Sequence, residues 1–196
     1  MIKTICTMYI TMMPVILAGV SNMVVVKQKW FKKIAKPMDN GKMLKDGKRI
    51  LGNNKTWFGF FTMIVCSIIT HFVWGFFCKI SVSFHSMNQL YLYHDNTLWY
   101  NTVVGAVMGI AYMLFELPNS FIKRRLEIPD GKTEKGVKGK IFFVIDQLDS
   151  MFGVILVLAA VSKISLLQYI NYVLLGGLTH ICVNLILYKL KIRRNL

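Results

Sequence analysis

The 196-residue sequence is short of charge, of acids and of paired cysteines. Only 17% of its residues are charged, against about 25% in ordinary soluble domains, too few to clothe a globular surface in water. Nine Asp and Glu face 24 Lys and Arg, a formal net charge of +15, so any acid inside an apolar stretch stands out. The four cysteines (Cys6, Cys66, Cys78, Cys182) contain no CxxC pair, and a disulfide framework or zinc site needs clustered spacings that are absent. They read as plain thiols in apolar surroundings. His71, His85 and His94 likewise show no mutual spacing that suggests a metal. A GxxxxGK[ST] phosphate loop is missing, which excludes a P-loop nucleotide site. What the chain does have is 55% hydrophobic residues, which excludes disorder.

These residues gather in five long runs, approximately Ile5–Val26, Trp57–Cys78, Leu98–Leu117, Ile141–Val161 and Leu166–Tyr188. At 1.5 Å per residue, about 20 residues cross a hydrocarbon core of about 30 Å. Only helices and closed barrels cross lipid, and the alternation of barrel strands is absent. The expectation is an all-α, polytopic membrane protein of five transmembrane helices, forming a single domain over 1–196. Lys3 precedes the first run and ten basic residues follow it, the reverse of a signal peptide, so that run reads as a retained helix.

A basic excess suits nucleic acid or an anionic membrane surface, and the position of the charges decides between them. Segment 27–56 holds ten Lys/Arg, 119–140 holds seven and the tail 189–196 holds four, leaving Lys3, Lys79 and Lys163 for the other side. The positive-inside rule makes 27–56 and 119–140 two basic cytoplasmic loops of a multi-pass protein in the cell membrane, with the C-terminus cytoplasmic and the N-terminus outside. Membrane lipids, not nucleic acid, are the surroundings implied; no protein partner is predicted. Topology alone accounts for most of this charge, but not for the acids and small residues set among it.

In the first loop, Asn40-Gly41 and Asp46-Gly47 are strong turn dipeptides. Thr56 is placed to cap the second span, and Lys55 beside that helix N-terminus makes an anion site suited to phosphate. Trp57 reads as an interfacial anchor. Further on, Glu116, Ser120 and Lys123 share a helical face at spacings of four and three. Asp146 and Asp149 are i,i+3 neighbours entering the fourth span, with Gly153 continuing their stripe. Carboxylates in an apolar helix are costly and indicate function, and hard oxygen ligands beside a basic loop suit Mg²⁺ bound with nucleotide phosphates. The alternative for the two aspartates is a wet position one turn inside the boundary, paired with Lys or Arg. His180 and Asn184 lie one turn apart in the fifth span, a pair that joins helices more often than it catalyses. Gly105 and Gly109 form a GxxxG in the third span, and Gly176-Gly177 lie in the fifth; close helix packing explains both.

Taken in order, these motifs resemble the CDP-archaeol synthase family, integral-membrane cytidylyltransferases related to phosphatidate cytidylyltransferases. The likeness runs through Asn22, Pro37-x-Asp39-x-Gly41 and Asp46-Gly47-x-Arg49-Ile50-Leu51-Gly52-x-x-Lys55-Thr56-Trp57-x-Gly59. It continues through Ser120-Phe121-Ile122-Lys123-Arg124-Arg125 and Asp146-Gln147-Leu148-Asp149-x-x-x-Gly153, and ends with His180-x-x-x-Asn184-x-x-x-Tyr188. The chain departs from the family pattern where Phe115-Glu116 replaces Gly-Asp, where Pro118-Asn119 replaces a small residue, and in lacking a Pro-Trp near the C-terminus.

The resemblance implies transfer of CMP from CTP to a lipid phosphate, archaeol-type or phosphatidate-like, with release of pyrophosphate. Asp146 and Asp149, with Glu116, would hold Mg²⁺. Lys55, Lys123, Arg124 and Arg125 would offset the triphosphate charge. Asp39, Asp46, Arg49, Thr56 and Ser120 would order the loops on the nucleotide, and Asn22, Gly153, His180 and Asn184 would support the cavity. The CDP-alcohol phosphotransferase signature is not met, because Asp46-Gly47 is followed by Lys48-Arg49 and lies remote from Asp146. Two non-enzymatic classes also suit five helices and polybasic loops: a scaffold for anionic lipids and a small carrier, for which an internal repeat would be expected and none is evident.

Overall fold

The computed structural model describes residues 2–130 and 136–190, with the side chains of Lys29 and Lys32 left out. Five long helices carry the fold: α1 (Ile2–Val26), α3 (Trp57–Ile80), α5 (Leu98–Arg125), α6 (Gly136–Val161) and α7 (Leu166–Lys189). Two short ones, α2 (Lys29–Ile34) and α4 (Val82–Met87), sit in the connections, with a 3₁₀ turn at Gln89–Tyr91. All five long helices are long and apolar enough to span a membrane. No β-strand occurs among the described residues.

The spans begin and end close to expectation at α1, α3 and α7, and the second basic segment is the main correction. It was expected as a loop over 119–140, yet α5 runs on through Pro118 to Arg125 and α6 already starts at Gly136. Hydropathy marks what lipid requires, whereas a helix can continue into water. Lys123, Arg124 and Arg125 in the last turn of α5 favour that continuation, since they complement the negative end of the helix dipole. Lys132 and Lys135, and Lys191, Arg193 and Arg194 of the tail, lie outside the described residues.

α3 packs between α1 and α5, and α6 between α5 and α7, while α1 meets α7 only lightly. The core between them is built from Met8, Met12 and Val15 of α1, Val104 and Met108 of α5, Met151, Val154, Ile155 and Leu158 of α6, and Tyr172 of α7. Phe61, Val65, Ile69, Val73 and Phe76 of α3 form an exposed stripe at near-fourfold spacing, the face such a helix turns to lipid. Gly105 and Gly109 press α5 onto α3: a Cβ there would stand 2.9 Å from the Ile68 Cα and 2.8 Å from the Ile64 Cα. The GxxxG thus acts as a packing element, as expected.

At one end of the bundle the segment 35–56 folds back on itself. Met38 N–H donates to the Lys55 carbonyl at 2.8 Å and Trp57 N–H to that of Lys36 at 3.1 Å. Asn40 and Gly41 take positive φ of 47° and 78° and Gly47 one of 71°, as the two turn dipeptides predict.

Candidate active site

The first loop is organised around Asp39, which is buried. Its carboxylate accepts from the backbone N–H groups of Gly41, Leu51 and Gly52, each at 3.0 Å, and from Arg49 Nε at 3.2 Å. A second Arg49 contact, from Nη2, makes the pair two-pronged. Burial works against ionisation here, but the Arg49 guanidinium and the Leu51, Gly52 and Gly41 N–H groups outweigh it and hold the carboxyl well below the usual carboxylate range.

The end of α5 then locks onto this loop. Arg125 Nη1 donates to Asp46 at 2.8 and 3.0 Å, and its Nη2 donates to the Arg49 carbonyl. Lys48 Nζ reaches the Arg125 carbonyl and Glu127, both at 2.9 Å. Asp130 accepts from Asn53 N–H at 3.0 Å and from Arg124 at 2.7 Å. Its close approach depends on Gly52, where φ is +95° and a Cβ would stand 2.2 Å from Asp130 Oδ1. Both basic segments therefore meet at one end of the bundle, over the entrance of α6.

Beneath this lock lie the expected acids. Asp146 and Asp149 share one partner, Asn119 of α5, whose Nδ2 donates to Asp146 Oδ1 at 2.6 Å and to Asp149 Oδ2 at 2.8 Å. Lys123 also donates to Asp146, and Ser150 N–H donates to Asp149 Oδ1 at 2.7 Å. Glu116 points to Lys55 instead of joining the aspartates. Among the described residues no three His, Cys, Asp or Glu side chains gather as one metal-ligand set. The structure thus brings two of the three expected ligands to a common point.

Other placements sharpen the expectations. Thr56 caps α3, accepting from Gly59 N–H at 3.1 Å. Lys55 beside it pairs with Glu116, a partner that no local pattern shows. Glu116, Ser120 and Lys123 lie on one face of the continuous α5, as expected, but the bonds to the aspartates come from Asn119 and Lys123; Ser120 is half-buried and none of these bonds ends on it. Gly153 lets α5 and α6 touch, since a Cβ would stand 2.7 Å from the Ala111 carbonyl oxygen. Asn184 donates to Gln147 Oε1 at 2.8 Å, joining α7 to α6. Asn22 lies half-buried on α1, its carboxamide oxygen without a partner among the described residues. His180 packs near the Tyr112 ring and lines a small, partly open apolar cavity with Met12, Gly19, Tyr112 and Met151. Tyr112 lies one helical turn from Glu116, so the cavity begins just below the acids. Sequence reasoning did not single out Asn119 or Asp130 as functional; the fourfold spacing from Asn119 to Lys123 was the available signal for the first.

A family model described as CarS-like, CDP-archaeol synthase, matches residues 1–195. The chain belongs to the CDP-archaeol synthase family. The CDP-archaeol synthase of Methanocaldococcus jannaschii is 30% identical over 157 residues, which cover 80% of this chain and 81% of that protein. That of Sulfurisphaera tokodaii is 28% identical over 165 residues, covering 83% and 82%. A solved structure described as an intramembrane enzyme for archaeal membrane lipids biosynthesis aligns with a TM-score of 0.62 over 90% of this chain and 92% of that one, at 22% identity. That likeness supports the five-helix fold. Membership places this CDP-archaeol synthase family chain among multi-pass membrane enzymes of the cytidylyltransferase class, as the motifs led one to expect.

Proposed function

We propose that this protein transfers CMP from CTP to an archaeol-type lipid phosphate, giving a CDP-lipid and pyrophosphate. The observation that carries the reading is the convergence of Asp146 Oδ1 and Asp149 Oδ2 on one point, 2.6 and 2.8 Å from the same nitrogen, beneath two interlocked basic segments. Hard carboxylate oxygens so arranged fit Mg²⁺, which commonly takes one or two carboxylates and completes its shell with substrate phosphates and water. Asp146 and Asp149 would hold the ion, with Glu116 as the nearby third acid; when bound, it supplies charge neutralisation at the triphosphate.

The remaining chemistry falls to the chain's own residues. An ionised oxygen of the lipid phosphate attacks the α-phosphorus of CTP, the new O–P bond forms, and the bond to the β-phosphate oxygen breaks as pyrophosphate leaves. The attacking oxygen needs no base, so positioning and charge stabilisation supply the rate. Lys55, Lys123, Arg124 and Arg125 each pair with an acid now, and the triphosphate and lipid phosphate would compete for these cations. Asp39, Asp46, Arg49 and Thr56 hold the first loop in shape, with Ser120 at its edge. The apolar surface below Glu116, lined in part by His180, is where a hydrocarbon chain would lie along the bundle, with Asn22 and Asn184 supporting it nearby. The basic end faces the cytoplasm, where CTP is found, with the N-terminus outside. Incubating the purified protein with labelled CTP, Mg²⁺ and a panel of ether- and ester-linked lipid phosphates, then separating the products, tests the reading. A labelled CDP-lipid from an archaeol-type phosphate is expected, and its absence from every lipid would refute the reading.

A further inference from the structure

Asn119 occupies the point at which the two aspartates meet. Its residue is 7% exposed, and its Nδ2 bonds both carboxylates. Its Oδ1 is buried and has no partner among the described residues. Buried amide oxygens are nearly always bonded, so an unpartnered one beside two carboxylates calls for a reason. Without the N–H bridge, two like charges one helical turn apart would spread. With it, their oxygens stay aimed at a single site. Half a turn about the Asn119 Cβ–Cγ bond exchanges Nδ2 for Oδ1 and presents three oxygens to that site.

We propose that Asn119 belongs to the divalent-ion site, its Nδ2 setting the Asp146 and Asp149 carboxylates on one point and its carboxamide oxygen turning toward a bound ion. This rests on the reading of the two aspartates as ion ligands. It accounts for both features of the side chain: the shared donor and the idle acceptor.

Mn²⁺ titration of the detergent-purified full chain, followed by electron paramagnetic resonance without nucleotide or turnover, separates the two ideas. The native protein should bind Mn²⁺, and Asp149→Asn should lose that binding; failure of either result overturns the ion site and this proposal with it. Given that site, Asn119→Ala should bind Mn²⁺ at least about tenfold more weakly, the range seen when supporting groups of a metal site are removed. Asn119→Asp, which keeps an oxygen there, should bind at least as tightly as native. Native-like affinity in Asn119→Ala would overturn the proposal while leaving the ion site standing. If the alanine variant does not fold, judged by its melting curve, weaker Mn²⁺ binding by a folded Asn119→Asp would overturn it equally.

Discussion

Arg125, the last residue of α5, grips Asp46 of the first basic segment with Nη1 at 2.8 and 3.0 Å, across 79 positions of sequence. The same guanidinium caps the Arg49 carbonyl, and Arg49 in turn holds Asp39. One chain of contacts thus connects the helix that carries Glu116, Asn119 and Lys123 to the loop over the site.

Breaking that chain should affect nucleotide binding more than stability. The Arg125–Asp46 pair is partly exposed, and such pairs contribute at most about 1 kcal/mol. Arg125→Ala is expected to leave the melting temperature within a few degrees of native and to raise the KM for CTP several-fold. Asp46→Asn added to it should cost little more, because Arg125→Ala already removes the contact they share. Steady-state kinetics of the single and double variants check this, and additive losses would show that the two act separately.

Asp39 gives the loop a pH dependence of definite sign. Its folded-state pKa lies below the unfolded value, so its stabilisation is complete above the ordinary carboxylate range and is lost as pH falls below about 4 toward the folded value. Hydrogen exchange of residues 36–56 should therefore stay slow from neutral pH down to about 5 and quicken below about 4, after correction for intrinsic rates. Asp39→Asn should show fast exchange already at neutral pH. A loop equally protected in both proteins would contradict the role given to Asp39.

Much of this architecture was legible in the sequence, because lipid imposes a length and turns impose residue types. Five runs of about 20 apolar residues could only become spanning helices, and Asn40-Gly41 and Asp46-Gly47 named their turns. Thr56 announced a cap by its place before an apolar run. What stayed hidden shares one cause, contact between distant segments. The partner of Lys55, Glu116, lies 61 positions on and is invisible to local pattern. Asp130 bonds Asn53 across 77 positions and has no motif around it. Asn119, one residue before Ser120 in the same helix, meets the aspartates of α6, a contact that only the packing of α5 on α6 reveals. The second basic segment was expected as a loop, yet α5 passes through Pro118 to Arg125, as membrane helices tolerate proline when neighbours satisfy the freed groups.

The contact between α3 and α5 tolerates no added bulk. Gly109→Val would drive a branched side chain into the Ile64 backbone, where a first carbon already meets Cα at 2.8 Å. Overpacking of this kind costs about 1–3 kcal/mol and sometimes more, so the variant should melt well below native and lose activity along with its fold. Ala106, half-buried on the same helix, serves as a comparison: Ala106→Val should melt closer to native. Equal melting of the two valine variants would contradict the packing role of the glycine.

The central claim is that Asp146 and Asp149 hold the ion on which CMP transfer depends. Asp149→Asn preserves size while replacing one of the two carboxylate oxygens, which accept from Asn119 and Ser150, by an amide nitrogen that cannot ligate an ion. In an assay with labelled CTP, Mg²⁺ and an archaeol-type lipid phosphate, the native protein should form CDP-lipid only when Mg²⁺ is present. The variant should be folded by its melting curve and at least about a hundredfold slower, a loss of roughly 2.7 kcal/mol in transition-state stabilisation. Turnover by Asp149→Asn at the native rate, with the same Mg²⁺ dependence, would contradict the account.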